Sequence, residues 1–273
     1  MANYKLDSID LNAGRSELHN ALALTGCEVS CNNLSAGVAV PFVHSHKNNE
    51  ECYLVLGGDG IFFIDGEELP IKAGSCFRVD PAGRRCLKAG KNGLRYLCIQ
   101  SARNSLKGFT MTDGVVEEGA KAPFLQSFPL RRIQYLRIYP KGEISMANYK
   151  LDSIDLNAGR SELHNALALT GCEVSCNNLP AGVAVPFVHS HKNNEECYLV
   201  LEGDGIFFID GEELPIKAGS CFRVDPAGRR CLKAGKNGLR YLCIQSARGS
   251  LKGFTMTDGV VEEGAKDPKP SWM

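Results

Sequence analysis

Short runs of alternating apolar and polar residues, separated by turn pairs, fill most of this chain. Ile61 to Ile64 is followed by Asp65-Gly66, and further turn signals stand at Lys91-Asn92-Gly93 and Thr112-Asp113-Gly114. A period of two broken by such pairs predicts short antiparallel strands joined by hairpins. One early stretch departs from this. Ser16 can cap a short helix through residues 17–24, with Leu18, Ala21 and Leu22 on one face and Gly26 beyond its end. His19 then falls on an exposed or boundary turn. Many short strands with one small helix predict an all-β sandwich or barrel, because a closed double sheet buries apolar residues and leaves no unpaired edge. A jelly-roll barrel is the first choice.

The pattern occurs twice. Residues 1–121 recur as residues 146–266, offset by 145, with only Ser35/Pro180, Gly57/Glu202 and Asn104/Gly249 differing. The expected organisation is therefore one barrel over 1–121, a linker over 122–145 and a second barrel over 146–273. Each unit is long enough to bury its own core, unlike a solenoid repeat. The join has no counterpart in the repeat and mixes Pro, Arg and aromatic residues without periodicity, as a simple tether would. Two such barrels in one chain are expected either to pair with each other, as a covalent imitation of a homodimer with approximate twofold symmetry, or to pair with barrels of other chains.

Composition excludes several function classes. Lys plus Arg and Asp plus Glu each number 31, so no strong positive field exists to hold a nucleic acid. No run of about 18 apolar residues is present, and the start MANYKLDSIDL lacks the basic and apolar regions of an export signal. A cytoplasmic protein without a membrane partner is expected. The 12 cysteines are scattered singly among strand-like residues, which favours free thiols over disulfides. Nucleotide-binding loops and the serine-hydrolase elbow are missing from the sequence.

Chemistry concentrates between Gly37 and Gly58. His44 and His46 share one face of a strand, and a turn at Lys47-Asn48-Asn49 brings the next strand back beside them. Either Glu50 or Glu51, but not both, then points at the same spot. Two imidazoles and one carboxylate form the facial triad that holds a divalent metal and leaves positions open for water or substrate. Tyr53, two residues beyond Glu51, faces the same interior, either as a proton donor or acceptor or as barrel filling.

This segment resembles the cupin superfamily, in particular its small conserved-barrel members. The first cupin motif runs Gly, spacer, His-x-His, three or four residues, Glu, six residues, Gly, and it matches Gly37, His44, His46, Glu51 and Gly58. The alignment selects Glu51, although Gly57 also allows Glu50; in the second copy it selects His189, His191 and Glu196 before Gly203. The second motif, Gly, spacer, Pro-x-Gly-x-x-His, fits Gly74 to Cys86 through Pro81 and Gly83, with cysteine in place of the third histidine. The spacers after Gly37 and Gly74 are each one residue longer than usual. The match covers about residues 30–102 of each copy. It implies two tandem double-stranded β-helix barrels, each with a short N-terminal helix and one metal.

The ligands so implied are His44, His46 and Glu51, and His189, His191 and Glu196, with Cys86 and Cys231 as possible fourth ligands. The expected cofactor is one divalent transition metal per barrel, zinc, nickel, iron or copper; a thiolate would favour zinc, copper or nickel over manganese or magnesium and weaken the site's Lewis acidity. The alternative is that Cys86 remains a protonated, buried strand residue. Arg78, Arg84, Arg85 and Arg95 could reach a carboxylate or phosphate, but parity near Pro81 is open and charged residues usually lie on the solvated face, so none is taken as a site residue. Cupins include dioxygenases, isomerases, lyases, storage proteins and ligand-binding domains, so resemblance alone selects no reaction. The expected function is metal-supported chemistry on a small sugar-like or keto-acid substrate, with Tyr53 and Tyr198 as candidate catalytic residues. The competing expectation is a non-catalytic module that binds a small ligand or a metal.

Overall fold

The computed structural model describes residues 2–117, 147–264 and 266–273, so the linker 122–145 lies outside the described residues. The first repeat runs through β1 (Tyr4–Ser8), β2 (Arg15–Glu17), α1 (His19–Leu22), β3 (Cys27–Leu34), β4 (His44–His46), β5 (Asn49–Ile64), β6 (Glu67–Lys72), β7 (Ser75–Val79), β8 (Arg85–Ala102), α2 (Thr110–Asp113) and β9 (Gly114–Val116). The second follows with β10 (Tyr149–Ser153), β11 (Arg160–Glu162), α3 (His164–Leu167), β12 (Cys172–Leu179), β13 (His189–His191), β14 (Asn194–Ile209), β15 (Glu212–Lys217), β16 (Ser220–Val224), β17 (Arg230–Ala247) and β18 (Gly259–Val261). The all-β expectation holds. None of the described helices is long and apolar enough to cross a membrane.

These strands form two nine-stranded sheets, and neither belongs to one repeat alone. One is ordered β10-β7-β5-β8-β3-β2, with β6 on β5, β4 on β8 and β18 on β4. Strand β10 pairs with β7 from Tyr149↔Val79 to Ser153↔Ser75, and β1 pairs with β16 in the same register. At the other end of each repeat β18 lies on β4 and β9 on β13. Every cross-repeat pairing thus occurs twice with roles reversed, as a twofold arrangement requires. The repeat boundaries and the sheets do not coincide, because the first and last strands of each repeat are paired with the other.

Three local expectations are corrected. Ser16 caps no helix: it lies in β2 opposite Cys31, and this backbone pairing holds it extended. Helix α1 begins at His19 behind Leu18, without a side-chain cap, and ends on a left-handed Ala23 at φ 52°. The Lys91-Asn92-Gly93 turn is absorbed into β8, where the register against β5 jumps from Gly58↔Leu94 to Gly60↔Ala89. Gly58 is required there: it has φ +78°, and an added Cβ would lie 2.0 Å from the Gly93 carbonyl oxygen. The third expected turn, Thr112-Asp113-Gly114, is the end of α2 and the start of β9.

A core shared by both repeats is built from Leu18, Leu22, Val29, Leu54, Ile99 and their counterparts, together with buried cysteines. All twelve cysteines are free and buried, as expected of unpaired thiols. Glu50 joins the repeats. Fully buried, it accepts hydrogen bonds from Thr170 N (2.8 Å), Thr170 Oγ1 (2.7 Å) and Gly171 N (2.6 Å), and Glu195 receives the same set from Thr25 and Gly26.

A second buried carboxyl, Glu28, is poorly satisfied. Its Oε2 has no hydrogen-bond partner and lies 4.0 Å from His19 Nδ1. Burial pushes its pKa up to about 7, and that of Glu173 to about 8, from the ordinary 4.5. The folded state therefore holds protons that the unfolded chain has already lost, and stability falls as pH rises from about 4.5 to about 8. A Glu28→Gln, Glu173→Gln variant is expected to be more stable than the parent at the alkaline end of this range, by roughly 1–3 kcal/mol per site, with the gain vanishing at the acid end. Urea unfolding across that pH range checks this; a pH-independent difference contradicts it.

Candidate metal centre

Strand β4 carries His44 and His46 on one face and is held between Arg85 of β8 and strand β18 of the other repeat. The next strand, β5, returns after residues 47–48 and turns Glu51 inward and Glu50 outward, since neighbours on a strand point to opposite faces. Glu51 is thus the carboxylate beside the histidines, while Glu50 faces the other repeat. His44, His46 and Glu51 each offer a ligand atom, all within 4.8 Å of one another, and His189, His191 and Glu196 do the same. His46 Nε2 lies 3.1 Å from Glu51 Oε1, and His44 Nε2 lies 3.9 Å from Glu51 Oε2. The corresponding separations in the second site are 3.0 and 3.8 Å.

These spacings fit a metal ion. Ligand atoms sharing one ion at bond lengths of about 2.1 Å stand roughly 3.0–3.5 Å apart, and the three ligand atoms within 4.8 Å of one another are close to that spacing. The 3.9 Å between His44 Nε2 and Glu51 Oε2 is too long for a hydrogen bond. Burial lowers the His44 pKa to about 4, so this imidazole is neutral and able to ligate at neutral pH.

Glu51 is held by more than histidine. Arg85 Nε and Nη2 both lie 2.8 Å from its Oε2, and Tyr53 donates its hydroxyl to the same oxygen at 2.5 Å. Cys98 Sγ donates to Oε1 at 3.2 Å. Arg85, itself fully buried, also donates through Nη1 to the carbonyls of Pro81 and Gly83. Burial pushes the Glu51 carboxyl up, but the Arg85 guanidinium and His46 outweigh it and hold the group well below the usual carboxylate range. Burial raises the Tyr53 phenol well above its ordinary value, so it stays a neutral donor.

Two sequence expectations change here. Cys86 and Cys231 are not brought to the triads. Cys86 donates to the Val40 carbonyl at 3.2 Å and packs with Val43 and Phe63 on the opposite side of the strand. Burial pushes its thiol up to about 11 and that of Cys231 to about 12, so both stay protonated. In their place stand Arg85 and Arg230, not taken as site residues by sequence and in fact buried against the glutamates. One residue of strand parity exchanges the two side chains. Tyr53 lies where expected, with its hydroxyl committed to Glu51.

The cupin domain family model matches residues 178–244. An oxalate-binding protein from Thermotoga maritima is 30% identical over 105 residues, which cover 38% of this chain and 76% of that protein. The chain belongs to the cupin family. This cupin also matches a cupin protein from Bacteroides fragilis at 46% identity, over 47% of this chain and 100% of that one, with a TM-score of 0.38. A variant of oxalate decarboxylase from Bacillus subtilis superposes over 90% of this cupin and 74% of its own length, at 15% identity and a TM-score of 0.58. That likeness extends across both repeats and shows the tandem-barrel fold.

Breaking a buried ion pair on one side leaves an uncompensated charge, whereas replacing both members by apolar groups does not. Arg85→Met is therefore expected to destabilise the cupin by about 3–5 kcal/mol, and adding Glu51→Leu to recover most of that loss. Urea denaturation of the single and double variants measures this, and additive losses would show the pair to be uncoupled.

Proposed function

We propose that each half of this cupin holds one divalent metal ion and presents it to a small carboxylate ligand of the oxalate class. The observation that carries the reading is the pair of His-His-Glu clusters, each with a buried arginine on the glutamate. His44 Nε2, His46 Nε2 and Glu51 Oε1 would hold the ion, which supplies a positive centre for chelating carboxylate oxygens. With Cys86 turned away, the donors are nitrogen and oxygen only, and the case for a soft metal loses its basis.

Charge selects the ligand. Arg85 already matches Glu51, so within this cluster only the carboxylate of Asp258, 3.1 Å from His46 Nδ1, stands against a divalent ion. One net positive charge then remains in a buried setting, where an unpaired charge is costly, and a small anion relieves it. The name of the Thermotoga maritima relative supports the same ligand class.

The geometry favours holding over transforming the ligand. The Tyr53 hydroxyl points at Glu51 Oε2, and its raised pKa keeps its proton in place, so it positions the carboxylate rather than transferring a proton. The same holds for Tyr198 on Glu196.

Metal analysis of protein purified without a polyhistidine tag tests the proposal. Two ions per chain are expected, one in His46→Ala and none in His46→Ala, His191→Ala, whereas Cys86→Ser should retain both. Calorimetric titration with oxalate should show binding to the loaded protein and none after chelator treatment. An ion-free parent, or oxalate binding that survives removal of the metal, would refute the reading.

A further inference from the structure

The histidine at the centre of each cluster depends on a residue from the other repeat. Asp258 Oδ2 lies 3.1 Å from His46 Nδ1, and Asp113 Oδ2 lies 3.1 Å from His191 Nδ1. All four side chains are almost wholly buried, at 2% exposure. Each aspartate belongs to the segment that crosses to the opposite sheet just before β18 or β9.

We infer that each metal centre is completed across the repeats, with Asp258 positioning His46 and Asp113 positioning His191. The inference rests on the metal reading above. A ligating imidazole commonly gives its second ring N–H to a carboxylate, which fixes the tautomer, holds the ring plane and raises the basicity of the ligating nitrogen. Asp258 meets these requirements for His46: Nδ1 faces its carboxylate while Nε2 faces Glu51.

Two further features make Asp258 a positioning group rather than a chance neighbour. Its carboxylate accepts the backbone N–H groups of Asn48 (3.2 Å) and Asn49 (3.0 Å) and the Asn48 side-chain amide (2.9 Å), so it also fixes the turn between His46 and Glu51. Thr255, at the start of the same turn, sits at φ +41° in the left-handed region, an unfavourable conformation for a β-branched residue. Its N–H donates at 2.9 Å to Gln100 Oε1, and Gln100 is the cross-strand partner of Glu51. The second repeat therefore holds a costly backbone conformation against β8, the strand paired with the one that carries Glu51.

The consequence is a crossed dependence. In a full-length chain whose second site is disabled by His189→Ala and His191→Ala, Asp258→Asn is expected to weaken binding of Co(II), Ni(II) or Mn(II) by about 10- to 100-fold. Asp113→Asn in that background should change nothing. With the first site disabled by His44→Ala and His46→Ala, the two aspartates should exchange roles. Direct titration calorimetry gives the affinities, and the d–d spectrum of the Co(II) form reports the ligand field of the remaining site. Loss on the same-repeat pairing, or unchanged affinity in every combination, overturns the inference. If the parent chain binds no metal, the metal proposal fails, but 15N NMR of the histidine rings still decides this one. His46 should keep its proton on Nδ1 and lose that signature in Asp258→Asn but not in Asp113→Asn; an identical spectrum in both variants rejects it.

Discussion

A buried carboxylate with four kinds of partner sets the conditions for this structure. Glu51 is nearly inaccessible to solvent, and a lone carboxylate there would be untenable. Its neighbours arrive from different strands: His44 and His46 from β4, Arg85 and Cys98 from the two halves of β8, and Tyr53 from its own strand. None of these is close in sequence to Arg85 or Cys98. The charge is tolerable only once the sheet has closed, so forming the site and completing the barrel are one event.

The neighbouring residue ties that event to the other repeat. Because Glu50 and Glu51 point to opposite faces, one builds the cluster and the other accepts three hydrogen bonds from Thr170 and Gly171. The exchanged strands β1 and β10 extend the sheets, and the exchanged β9 and β18 lie directly on the histidine strands. A change at the contact between repeats is thus one strand away from the imidazoles. The tandem duplication makes this reciprocal exchange intramolecular, which replaces an association equilibrium by a high effective concentration.

Much of this was legible in the primary structure. Alternation and turn pairs gave the strands, the offset of 145 gave the duplication, and the spacing of His44, His46 and Glu51 gave the cluster. What failed was parity and partnership. Arg85 and Cys86 are adjacent, and a single residue of register decides which one faces the glutamate. Ser16 is a good helix cap in isolation but is claimed by pairing with β3. Asp113 and Asp258 looked like turn residues, since nothing local marks them as neighbours of a histidine 78 or 212 positions away.

The sequence by itself determined that each repeat carries a His-x-His pair followed by two adjacent carboxylates, and that the chain folds as β structure. These follow from local periodicity and spacing, which act over a few residues. Tertiary structure alone decided that Arg85 rather than its neighbour Cys86 meets the glutamate, and that the aspartate behind each histidine comes from the other repeat. Both outcomes depend on strand register and exchange, interactions between segments far apart in the chain, where a shift of one residue reverses every side chain.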